Sequence, residues 1–84
     1  MNNAYMRKIV VTAEYQPLVS ERTVLAAEIS CPPTNASNVL FKCGDGSDVP
    51  WVPGEWHDFD SIDLAEVQIK GTAGDVVTVV GGSW

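Results

Sequence analysis

Apolar and polar residues alternate with a period of two along most of this chain, and turn-forming residues break the alternation every 10–15 positions. Runs of this kind, rich in Val, Ile, Thr and aromatics, predict short strands rather than helices. The first run is Lys8 to Tyr15, closed by Gln16-Pro17, and the second is Thr23 to Cys31, halted by Pro32-Pro33. Val39 to Cys43 follows and ends at Gly44-Asp45-Gly46. Val49 to Val52 is short and flanked by prolines, which suits a sheet edge. Glu55 to Phe59, Ala65 to Lys70 and Val76 to Val80 complete the set. About seven short strands with these turns predict an all-β fold, a small antiparallel β-sandwich or barrel.

The alternation also predicts which side chains face inward. Ile9, Val11 and Ala13, then Leu25, Ala27 and Ile29, then Val39, Phe41 and Cys43 share the apolar phase. Val67, Ile69, Val77 and Val79 continue it, while Lys8, Glu28, Lys42, Glu66, Gln68 and Lys70 take the opposite phase. Two stretches break the rule. Residues 76–80 read Val-Val-Thr-Val-Val and residues 24–27 read Val-Leu-Ala-Ala, apolar on both faces. Such a strand needs cover on its outer face, from a loop, a terminus or another subunit. Val76, Thr78 and Val80 are therefore candidate interface residues.

With 84 residues there is room for one domain, placed at 9–84, preceded by an arm over residues 1–8. A core this small is often reinforced by association. The formal net charge of -6 and the scattered basic residues argue against nucleic acid or an anionic membrane as partner. No run reaches the ~20 apolar residues of a membrane span. Residues 1–8 lack the apolar segment of a signal peptide, so synthesis in the cytoplasm is expected.

Candidate chemistry is sparse. His57 stands beside Asp58, but adjacent strand residues face opposite sides and no nucleophile motif accompanies them. A hydrolytic or metal-dependent reading at His57 and Asp60 is correspondingly weak. Asp45, Asp48, Asp58, Asp60 and Asp63 do not match a calcium-loop pattern, and turn carboxylates capping backbone N–H groups explain them. One histidine and two cysteines are too few for a zinc site. No catalytic residue, metal or cofactor is expected. Asn35-Ala36-Ser37 matches a glycosylation acceptor by chance composition, and the glycines at 71–74 and 81–82 form no phosphate cradle. If residues 23–31 and 39–43 pair as a hairpin, Cys31 and Cys43 stand roughly 13 Å apart. That separation predicts two free, core-facing thiols, unless the strands lie in different sheets.

Trp51 and Trp56 bracket the turn Val52-Pro53-Gly54-Glu55, and Trp84 ends the sequence. Exposed tryptophans serve protein interfaces and sugar stacking alike, whereas a buried one plugs a sandwich end. All three are candidate contact residues, and a carbohydrate-binding module using Trp51 and Trp56 is the alternative reading.

The stretch Gly44-Asp45-Gly46-Ser47-Asp48-Val49-Pro50-Trp51-Val52-Pro53-Gly54-Glu55, then Asp63-Leu64, then Val67-Gln68-Ile69-Lys70-Gly71-Thr72-Ala73-Gly74-Asp75-Val76-Val77, has a familiar form. With Pro33 to Phe41 upstream, it resembles the small β-domain virion proteins of tailed bacteriophages, of the cement or decoration type. The resemblance covers residues 33–80, with Ile62 where that ending carries Val. It implies a jelly-roll-like sandwich on the outer capsid surface of the virion. There it would bridge neighbouring major capsid subunits, often as a dimer or trimer, without enzymatic activity. Docking could then use strand addition at the Val49–Val52 edge or the arm of residues 1–8.

Overall fold

The computed structural model describes residues 3–44 and 46–83. Eight strands run in chain order: β1 (Asn3–Val10), β2 (Gln16–Pro17), β3 (Val24–Ser30), β4 (Val39–Cys43), β5 (Val49–Trp51), β6 (Trp56–Asp63), β7 (Val67–Lys70) and β8 (Val76–Ser83). A 3₁₀ turn, Leu64–Glu66, joins β6 to β7. The strands form two antiparallel four-stranded sheets, β1-β8-β3-β6 (sheet 1) and β2-β7-β4-β5 (sheet 2). This order makes the all-β sandwich a jelly roll, in which every connection except β4–β5 crosses between the two layers.

The core lies between the layers. Ile29, Val77 and Val79 from sheet 1 meet Val39, Phe41 and Ile69 from sheet 2, all buried, with Leu64 sealing one end. Each such side chain contributes about 1.5–3 kcal/mol of burial free energy. The alternation read from the sequence holds for β3, β7 and β8. It fails at Ala13, which is exposed because the chain leaves sheet 1 after Val10 to cross to sheet 2. Along that crossing the Val11 amide donates to Asp75 and the Gly71 amide to Thr12, so backbone pairing continues between the layers.

The structure corrects the expected arm, the expected hairpin and the inward-facing Cys43. Residues 3–8 are no arm; they are most of β1, paired along its length with β8 from Asn3↔Ser83 to Val10↔Val76. The eighth strand, β2, is only two residues long and carries no readable alternation. The hairpin between residues 23–31 and 39–43 does not form, because β3 pairs with β6 and β8 while β4 pairs with β5 and β7. Cys31 and Cys43 are free, but only Cys31 faces the core and Cys43 is exposed. Burial pushes the Cys31 thiol up to about 11, helped by the nearby negative charges of Glu55 and Asp75.

Turn chemistry sets the ends of the strands. Pro53 and Gly54 occupy the centre of a tight turn closed by the Glu55 amide on the Val52 carbonyl. Gly54 has φ 91°, a conformation the turn requires and glycine adopts without strain.

Candidate functional site

The outer face of sheet 1 carries most of the residues singled out as interface candidates. On β8, Val76, Thr78 and Val80 alternate with the buried Val77 and Val79. Register places Val10 of β1 beside Val76, Lys8 beside Thr78 and Met6 beside Val80. On the other side Ser30 stands beside Thr78 and Glu28 beside Val80, with Trp56 and Asp58 of β6 next in the same rows. The Ser30 and Thr78 hydroxyls share a 2.6 Å hydrogen bond, which satisfies both polar groups within the face. Met6 is 72% exposed and Val80 52%, so the doubly apolar strand is left open at this end, and no loop among the described residues covers Val80.

The tryptophans separate. Trp56 lies on this outer face, 55% exposed, whereas Trp51 is buried in sheet 2. Trp51 stacks on Phe41 with ring centroids 3.8 Å apart and turns its edge to His57 at 4.7 Å. A two-ring sugar platform of Trp51 and Trp56 is therefore not present. Trp84 lies outside the described residues.

Between the edges β5 and β6 the two layers diverge around an apolar cavity of about 360 Å³. Its walls include Ile29, Phe41, Trp51, Phe59, Ile62 and Val67. A second cavity, of about 430 Å³, lies at the opposite flank, where β1 meets the segment from Leu18 to Thr23. Each flank of the sandwich is thus incompletely closed along one edge strand of sheet 1.

His57 hydrogen-bonds Glu55 across 2.7 Å, two residues back on the same face, and not the adjacent Asp58. The other Glu55 oxygen accepts from the Val52 amide at 3.0 Å. The His57 contact, then the amide, hold the Glu55 carboxyl below the usual range. This arrangement ties the 52–55 turn to β6 and leaves Asp60 apart, so the His57/Asp60 reading gains no geometry.

Among the described residues the acidic side chains do not converge. Asp63 accepts from the Thr23 amide at 2.9 Å and caps the 3₁₀ turn through the Ala65 amide at 3.1 Å. These bonds, the one from Thr23 foremost, lower its pKa. Asp48 accepts from the Tyr15 hydroxyl, Asp58 and Asp60 are exposed on β6, and Asp45 lies outside the described residues. Among the described residues no three His, Cys, Asp or Glu side chains gather as metal ligands. Asn35 is buried and its amide is committed to the Val76 backbone, so the acceptor nitrogen of the glycosylation pattern is not free although Ala36 and Ser37 are exposed.

One cluster was invisible to spacing. Lys42 and Lys70 set their ammonium groups 4.5 and 4.6 Å from the centre of the Tyr15 ring, while its hydroxyl binds Asp48. Desolvation and the Asp48 carboxylate push the phenol up to about 12. Its members come from four separate stretches of chain, and the arrangement clasps the β1–β2 connection onto sheet 2.

No family model, curated protein or solved structure matches this chain.

Proposed function

We propose that this chain is a non-enzymatic structural protein of a virion, a capsid cement or decoration protein. In this reading it docks the outer face of sheet 1 onto adjacent major capsid subunits and bridges them. The observation that carries the reading is the exposed apolar pair Met6 and Val80 on the outer face of sheet 1, on a chain of net charge -6. Apolar side chains left uncovered at the centre of a sheet mark a contact surface. The motif resemblance over residues 33–80 supports the virion setting. Jelly rolls serve as capsid and lectin domains alike, so the fold adds no choice between them.

The test is co-sedimentation with capsid shells from the producing cell that lack this protein. Wild type is expected to pellet with the shells and raise their resistance to heat. Met6→Lys and Val80→Lys, both exposed and thus compatible with folding, are expected to abolish pelleting. Binding retained in both variants overturns the docking face. Failure of wild type to bind any shell, with glycan binding lost on Trp56→Ala, would replace this reading by carbohydrate recognition.

A further inference from the structure

The two edges of sheet 1 are complementary to each other. β1 and β6 are both eight residues long, and each has one side without a strand partner among the described residues. Because β1, β8, β3 and β6 alternate in direction, a second copy placed beside β6 brings its β1 alongside antiparallel, with the sheet faces continuous. Charge sorts the possible pairings. β1 carries Arg7 and Lys8, and β6 carries Asp58, Asp60 and Asp63. Pairing β1 with β1, or β6 with β6, gathers like charges, which is how edge strands are kept from self-pairing. Only β1 with β6 joins opposite signs.

From these edges we infer that copies of this chain associate head to tail, β6 of one copy pairing with β1 of the next, with Lys8 opposite Asp58. This register matches outer face to outer face and sets Val10 opposite Trp56. Those two are exposed apolar residues, 53% and 55% accessible, one at each edge. Among the described residues neither Lys8 nor Asp58 has an ion-pair partner in its own chain. The contact also runs along both incompletely closed flanks of the sandwich, so one association covers the two cavities. It is heterologous, closing as a ring or growing as a filament according to the rotation between copies.

Sedimentation velocity on the whole chain tests the association, and charge reversal tests the register. Wild type associates with rising concentration. Lys8→Asp alone or Asp58→Lys alone weakens association by about tenfold, and an equimolar mixture of the two restores it. Directly opposed residues lie about 4.5–5.5 Å apart at Cα, within disulfide reach. Val10→Cys and Trp56→Cys, each carrying Cys43→Ser, should therefore cross-link when mixed and oxidised, but not singly. Both positions are exposed, and circular dichroism checks that the fold is kept. A strict monomer at all concentrations, or disulfide dimers of Val10→Cys alone, overturns the inference. So does a mixture of charge variants no better associated than its parts.

Discussion

The side-chain amide of Asn35 grips the backbone of Val76 from both sides, donating to its carbonyl at 2.8 Å and accepting from its N–H at 2.9 Å. The reason lies one turn upstream. Ser30 pairs with Thr78, so the next paired position of β3 would set residue 32 opposite Val76. Residue 32 is proline, which has no N–H to give. Asn35, returned by a turn whose amide bonds the Pro32 carbonyl, supplies the missing donor and acceptor. Asp75 completes the lock by accepting from the amides of Ala36 and Ser37.

Removing that amide should cost more than an ordinary surface change. Asn35→Ala strands a donor and an acceptor at the start of β8, and an unmet buried group costs about 1–3 kcal/mol. A loss of about 2 kcal/mol in urea unfolding is expected. Asn35→Asp keeps the acceptor but not the donor, and adds a charge near Asp75, so it should be no better.

Gly81 should tolerate nothing larger. A Cβ there would fall 2.2 Å from the Ala26 carbonyl oxygen and 2.8 Å from the Ala27 Cα, both on the paired strand β3. Backbone cannot yield as a side-chain end does, so Gly81→Ala should destabilise by about 3 kcal/mol or more. Gly74→Ala is the control. Its φ of 97° is strained for alanine, but open space surrounds it, and about 1–2 kcal/mol is expected. Thermal unfolding of the two variants compares them directly.

The two tryptophans of the 51–56 segment should behave oppositely. Trp51→Ala empties a stacked core position and should cost about 3–5 kcal/mol. Trp56→Ala should fall within about 0.5 kcal/mol of wild type. Iodide should quench the emission lost in Trp56→Ala and spare the emission lost in Trp51→Ala.

Stability should fall at both ends of the pH scale, for different groups. Asp63 has a depressed folded pKa, so its contribution is present above the unfolded value and lost as pH falls through the folded one. Asp63→Asn should then be less stable than wild type at neutral pH, with the gap closing in acid. Tyr15 is raised from 10.0 to about 12. Between those values the unfolded chain has released a proton that the folded chain retains, so stability declines as pH rises. Tyr15→Phe should flatten that alkaline decline in urea titrations.

Local pattern sufficed for the strand class, for the inward phase of Leu25, Ala27 and Ile29, and for the edge position of β5. These are properties of the period-two alternation and of proline, which act within a few residues. The candidate contact face was half legible, since Val76, Thr78 and Val80 stand out as apolar or neutral on the wrong phase. Trp51 was misjudged for a physical reason. It shares its phase with Val49, yet Val49 lies half-exposed at the cavity while Trp51 is covered by Phe41. A three-residue strand is too short to tell those apart.

What only the tertiary structure decided is who meets whom. Residues 3–8 became a strand because β8, some seventy positions away, offers a full ladder to them, and nothing local distinguishes that from an arm. The same holds for Asn35 at Val76 and for Tyr15 between Lys42 and Lys70. Alternation writes the faces of each strand into the sequence, but the order of strands in a jelly roll arises from long-range pairing that leaves no periodic trace.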